Sequence, residues 1–461
     1  MNRRLRQTLP IVLSSRFGGN MEAKKILEKQ FDSLVETLQE TIRFNTEKGV
    51  AENDAPFGRN IADCLNFVLK KAESFGLETY NCDNYAGHAD LKGTGSEVLG
   101  ILGHIDVVPS KAEEWKYPPY AGEIHDGKLF GRGTMDDKGP MIACLFAVKA
   151  LKESGFVPQK TVRLIFGCDE ESGMECVQHY FEKVPQPDVA FSPDGDFPVI
   201  NIEKGIYQFN VVLGKLPKGV TLTAGERANV VPSLCTATVQ GNIDGNAEVT
   251  VTKQKGVCTV TAVGKSAHGS TPDEGINATY PVIALLAKTF PENEGLKFLK
   301  EKMCDTTGKK WGIALEDADS GKLTCNLGVL RTSAEGILTA TVDIRFPASY
   351  TCQQMYALLR EHTPEQFDIV AGHGSNPLHV PANSHLVTTL MDVYNTALGC
   401  NLKPLAIGGG TYSRCLKNCV AFGPLFPNEE QTIHMPNECV DLKNLKLMAE
   451  LYLEAIYRLA K

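Results

Sequence analysis

The strongest constraint on this chain is where its acidic and imidazole side chains fall, just beyond short apolar runs. Val98-Leu99-Gly100-Ile101-Leu102 leads into Gly103-His104-Ile105-Asp106, and Val162-Arg163-Leu164-Ile165-Phe166 leads towards Asp169-Glu170-Glu171-Ser172-Gly173. Runs of this length and composition read as buried strands. Gly131-Arg132-Gly133-Thr134-Met135-Asp136-Asp137, Ser192-Pro193-Asp194-Gly195 and the distant Thr432-Ile433-His434 complete the set. Side chains at the carboxyl ends of neighbouring parallel strands converge on one crevice, so residues spread from position 104 to position 434 can share a site. His104, Asp136, Glu171, Asp194 and His434 supply two imidazoles and three carboxylates, enough for two divalent cations if one carboxylate bridges.

The chain has 461 residues, more than one hydrophobic core usually serves, so two or three domains are expected. A net charge of −8 gives no basic excess for phosphate contacts, which argues against nucleic-acid binding. With no run of about 18 apolar residues, no membrane span is expected. The 14 cysteines are dispersed, without CxxC pairs, and several lie in apolar segments such as Met141-Ile142-Ala143-Cys144-Leu145-Phe146. Dispersed, buried thiols fit a reducing cytoplasm. Residues 1–20 hold four arginines and no acid. A transit peptide reads this way, but a disordered or non-native extension is the favoured reading, with Met21 as the functional start.

From Ala23 to Ile42, apolar residues recur at Ile26, Leu27, Phe31, Leu34, Val35, Leu38 and Ile42, the period of one helix packed on a core. Strands and helices then alternate, with Pro140 opening a helix over Met141–Leu151. This rhythm predicts an α/β fold with a parallel-type mixed sheet and helices on both faces, over residues 21–197. Residues 198–374 change to short alternating segments such as Val249-Thr250-Val251-Thr252, and read as an inserted α+β domain. Residues 375–461 return to the first pattern and bring back His434.

The paired acids are informative by themselves. Asp136 and Asp137 follow a glycine-rich turn, where adjacent carboxylates are costly unless cations compensate them. Aspartate also caps helices well, so Asp137 is read at a helix start. Consecutive side chains of an extended segment point apart, so of Glu170 and Glu171 one can bind metal while the other faces water. The donor set lacks thiolate, which admits zinc, manganese and cobalt, zinc being preferred. Gly408-Gly409-Gly410-Thr411 follows a strand and reads as a helix start, whose amides can bind a carboxylate. Trp115 follows the His-x-Asp loop, where it shapes the mouth of the site or simply packs.

From about Lys25 to the C-terminus the chain resembles the M20 metallopeptidase family, and within it the PepV and Sapep type of bacterial dipeptidase. The resemblance implies His104 and Asp194 on one ion, Glu171 and His434 on the other, and Asp136 shared through a cis Asp136-Asp137 peptide. It implies that Asp106 supports His104 from behind, and that Glu170 is the general base acting on water at the metals. Ser266-Ala267-His268-Gly269-Ser270 and Arg227-Ala228-Asn229-Val230-Val231-Pro232 match segments of a lid, with His268 stabilising the oxyanion and Asn229 assisting. Arg345, in Asp343-Ile344-Arg345, then holds the substrate's terminal carboxylate together with Gly409, Gly410 and Thr411. The insertion is longer than the lid of the simpler dimeric members, which implies a working monomer. A cytoplasmic two-metal dipeptidase acting on small unblocked peptides is therefore expected. An M20-type deacylase or aminoacylase acting on N-acyl amino acids is the alternative, and a catalytically silent peptide-binding protein a more distant one.

Overall fold

The computed structural model describes residues 20–427 and 429–461. These divide into two compact units. One holds the described residues up to Asn201 with Val380–Leu405 and Thr411–Lys461, and the other holds Ile202–His379 with Ala406–Gly410. The reading of residues 1–20 lies outside the described residues except at Asn20, whose side chain accepts from the Ala23 N–H at 3.0 Å and caps the first helix. Among the described residues no helix is long and apolar enough to cross a membrane.

The helix expected over Ala23–Ile42 is two helices, α1 (Met21–Lys29) and α2 (Phe31–Ile42). Gln30 breaks it, with ψ at 2° instead of a helical value, although its N–H still reaches the Ile26 and Leu27 carbonyls. Periodicity could not reveal the break. The buried positions Ala23, Leu27, Leu34, Val35, Leu38 and Ile42 keep to one stripe across it.

In the first unit, β1 (Glu78–Cys82), β2 (Ala86–Leu91), β3 (Val98–His104), β4 (Thr161–Gly167), β5 (Val189–Ser192) and β6 (Cys419–Ala421) lie in the order β1-β2-β4-β3-β5-β6. β3 runs parallel to β4 and β5, and β5 parallel to β6, while β1, β2 and β4 pair antiparallel. Gly87 and Gly103 flank Phe166 in register and so share a face of the sheet. Side chains at those two positions would run into Leu65 and Leu69 of α3 (Arg59–Ser74) and into Met141 of α4 (Lys138–Glu153). His88 and His104, one residue along, point the other way. There His88 meets Tyr180 of α5 (Glu175–Lys183), and His104 meets Tyr412. Helices thus cover both faces. α4 is buried continuously from Met141 to Val148, as a helix apolar all round should be, and it packs on α7 (Leu442–Leu459), which follows α6 (His385–Leu398).

The second unit is an eight-stranded antiparallel sheet, in the order 250–254, 257–263, 234–240, 220–224, 324–332, 337–346, 205–215, 368–375. Strand 205–215 alternates buried and half-buried residues over most of its length, the pattern of a sheet with one face on a core. Helices Thr279–Thr289 and Cys352–His362 pack on it, and Trp311, Phe298 and Phe209 fill the space beneath. The sequence reading drew the insertion at 198–374, whereas this unit also takes Ala406–Gly410. The tie is local: Lys204 N–H bonds the Ile407 carbonyl at 2.9 Å, and Arg345 bonds that of Gly408 at 2.7 Å.

Candidate metal centre

β3 ends on His104, which is fully buried. Its Nδ1 donates to the Asp106 carbonyl at 2.9 Å, which fixes the ring and turns Nε2 towards Oδ1 of Asp136, 3.0 Å away. Oδ2 of the same carboxylate lies 2.9 Å from Nε2 of His434, and that nitrogen is also 2.9 Å from Oε1 of Glu171. Donor atoms of His104, Asp136 and Glu171 all lie within 4.8 Å of one another. Each oxygen of Asp136 therefore faces a different imidazole, as a bridging carboxylate requires. The Asp136–Asp137 peptide is cis.

Asp106 does more than back one histidine. Its two oxygens accept from the backbone N–H groups of Glu170 and Glu171, each at 3.1 Å, while Oδ1 lies 3.5 Å from Nδ1 of His104. One buried carboxylate thus binds the end of β3 to the loop after β4. Asp137 precedes α4 as expected, but its side chain makes no cap there. Its Oδ2 accepts from the His104 N–H at 3.2 Å instead, because Gly103 leaves room for the carboxylate beside β3. Asp194 follows β5, and its charge acts on both Glu170 and Asp137.

Negative charge accumulates here. Burial pushes the Glu170 carboxyl well above its usual range, and the charges of Asp194, Glu171 and Asp136 add to the effect. Burial and Asp136 likewise raise Glu171. Burial would lower the His434 imidazole, but Asp136 and Glu171 outweigh it and raise the pKa to about 11; His104 is raised in the same way by Asp106 and Asp136. Those imidazolium protons offset part of the acidic charge, and divalent cations displacing them would offset more. The residues present fit such cations, with nitrogen and oxygen donors, an oriented ligand imidazole and an acidic surplus.

The sequence reading passed over Glu438, which is fully buried and hydrogen-bonded to the turn that carries Asp136. A lone acid in a polar loop reads as solvated, so nothing local marks it. A second donor cluster, Cys82, Asp83 and His179, has an ordinary explanation. Asp83 pairs with Lys183, and His179 stacks on Tyr85 at 3.9 Å between ring centroids.

The remaining candidates, apart from Thr411, belong to the second unit. His268 is exposed, and its Nδ1 accepts from the Ser270 N–H at 3.2 Å and meets the Ser270 hydroxyl at 2.7 Å. Asn229 packs against it through the backbone, its carbonyl accepting from the Gly269 N–H at 2.7 Å. Arg345 is 4% exposed, and its Nε and Nη2 donate to the fully buried Asp343 at 2.6 and 3.1 Å. With Nη1 on the Gly408 carbonyl, three of its five N–H groups are engaged. Gly408–Thr411 opens only a short 3₁₀ turn, Tyr412–Cys415, in place of the expected helix. Thr411 caps that turn, accepting from the Ser413 N–H at 3.1 Å.

Residues 100–458 match the model of peptidase family M20/M25/M40. "Putative dipeptidase YtjP" of Bacillus subtilis (strain 168) is 35% identical over 96% of this chain and 100% of its own length. A Staphylococcus aureus (strain USA300) protein named in the same way is 30% identical over 95% and 99%. Among solved structures, the M20 family metallo-carboxypeptidase Sso-CP2 of Sulfolobus solfataricus shares the fold, with a TM-score of 0.57 at 17% identity over 92% of this chain and 99% of that one. The aminoacylhistidine dipeptidase of Vibrio alginolyticus does so with a TM-score of 0.55 at 14% identity over 93% and 97%. The chain is a metal-dependent peptide hydrolase by class. It belongs to peptidase family M20/M25/M40.

Proposed function

We propose that this chain is a cytoplasmic, monomeric dipeptidase that hydrolyses dipeptides with free amino and carboxyl ends, using two divalent cations, zinc by preference. The observation that carries the reading is Asp136 with an imidazole on each oxygen, beside a Glu170–Glu171 pair whose backbone Asp106 holds. The relatives' names supply the substrate class. His104 and Asp194 would hold one cation and Glu171 and His434 the other, with Asp136 between them. When bound, such cations polarise the scissile carbonyl and make water more acidic.

The chain's own groups do the rest. Glu170 takes a proton from the attacking water and passes it to the leaving amine. The Ser270 N–H on Nδ1 of His268 keeps that ring's proton on Nε2, where it can be donated to the carbonyl oxygen as charge develops, with Asn229 assisting. Arg345 receives the substrate carboxylate on its unengaged N–H groups, together with the backbone of Gly409, Gly410 and Thr411.

Metal-reconstituted protein assayed against dipeptides, tripeptides and N-acetyl amino acids tests the reading. Turnover of dipeptides is expected, with N-acetyl amino acids inert; the reverse would establish the deacylase. For Arg345→Ala, kcat/KM on free-acid dipeptides should fall by roughly 2–4 kcal/mol, the scale of truncating a buried charged partner. Because Arg345 also holds the Gly408 carbonyl, amidated dipeptides must be run beside them. Loss of a carboxylate clamp abolishes the preference for the free acid, whereas an equal fall on both substrates would show a structural role only. The monomer reading is checked by mixing inactive His268→Ala and Glu170→Ala proteins. No activity should return, and recovery would mean that two chains complete one another.

A further inference from the structure

Glu438 lies four residues beyond His434 and is 0% exposed. A carboxylate removed from water is costly unless its oxygens are paired, and these are. Oε1 accepts from the backbone N–H groups of Gly133 at 3.1 Å, Met135 at 2.9 Å and Asp136 at 3.3 Å. Oε2 takes Nη1 of Arg132 at 2.6 Å, and the Glu438 carbonyl accepts from the Gly131 N–H at 3.0 Å. Of the six residues from Gly131 to Asp136, only Thr134 makes none of these bonds to Glu438. Arg132 is itself steadied from the side, its guanidinium 5.2 Å from the centre of the Trp115 ring.

The placement matters because of what each end carries. The turn gathered around Glu438 is itself neither helix nor strand; it leaves strand Lys128–Phe130, which pairs with Cys439–Asp441, runs through Gly133 at a φ of 93°, and ends in Asp136. The loop that supplies Glu438 also supplies His434, whose Nε2 meets Oδ2 of Asp136. Beyond that backbone pairing, this one side chain ties the backbone behind one candidate ligand to the segment carrying another. We propose that Glu438 is a positioning residue that sets Asp136 against His434 and holds the donor set ready for its cations. The proposal rests on reading Asp136 and His434 as ligands.

The test uses the full chain, stripped with chelator and loaded with cobalt(II), with affinity read by chelator competition and coordination read from the visible absorption band. Glu438→Met keeps the length of the side chain but has no oxygen acceptor. It should bind cobalt about 10–100-fold more weakly with an altered band, the usual cost of losing a group that orients ligands. Glu438→Gln keeps an oxygen for the three N–H groups and loses the charge, so it should recover most of that loss yet stay about threefold or more below the unmodified protein. Folded variants that both match the unmodified protein in affinity and spectrum would overturn the proposal. So would equal loss in both, which would mean that the charge of Glu438, and not its acceptor oxygen, is what counts. Should Glu438→Met fail to fold, Glu438→Gln decides, and unmodified behaviour there overturns it. Failure of the unmodified protein to bind cobalt would instead remove the ligand reading beneath it.

Discussion

Glu170→Ala protein should keep the metal content of the unmodified enzyme and lose roughly 10²–10⁴-fold in kcat, the contribution expected of a general base. The separation of metal from activity follows from what holds this loop. The Glu170 N–H is fixed on Asp106, and Glu171, its neighbour, is the one that meets His434. Removing the Glu170 side chain therefore leaves His104, Asp136, Glu171 and His434 in place. It also removes one of several mutually repelling carboxylates, so the remaining ones ionise more easily. Metal analysis beside steady-state kinetics checks this. Full turnover in metal-loaded protein would exclude Glu170 as the base, and joint loss of metal and turnover would make it a ligand.

Asp136→Ala should lose both metal and activity. Its two oxygens meet the two imidazoles, Oδ1 lying 3.0 Å from His104 and Oδ2 2.9 Å from His434. Without it the imidazoles lose the group they share, and two cations would lack the ligand that offsets their repulsion. The loss of metal-supplied stabilisation amounts to several kcal/mol, on the order of 10³-fold or more in kcat/KM. Glu171→Ala is the informative comparison, because Glu171 meets His434 alone and should cost one ion, not two. Metal content after gel filtration reads both. Retention of two ions by Asp136→Ala would mean that another carboxylate bridges.

Much of the framework was legible because it is local. The apolar runs before His104 and Asp169 are strands β3 and β4, paired in parallel as the alternation of elements required. Ser384 and Gly399 bracket α6 as a cap and a stop at positive φ should. Misreadings came where a residue's partner lies outside its own segment. Asp137 sits where a helix cap belongs, yet its carboxylate turns to the His104 N–H of a neighbouring strand. Gly408 follows a strand and precedes a helical turn, yet it belongs to the second unit, where Arg345 holds its carbonyl.

The sequence by itself determined which residue types stand at which strand ends, since burial imposes a period on the chain and the polar residues that interrupt it stand out. It pointed to the class of chemistry for the same reason: two imidazoles and three carboxylates gathered beyond apolar runs supply a donor set suited to divalent cations. Only the tertiary structure decided how those groups are oriented. Asp106 reaches the Glu170 and Glu171 amides across 64 and 65 residues, and Glu438 reaches the Gly131–Asp136 turn across more than 300. Hydrogen bonds of that span leave no period and no local propensity in the chain. They exist because a buried carboxylate must find donors wherever packing brings them, and only the folded backbone fixes where that is.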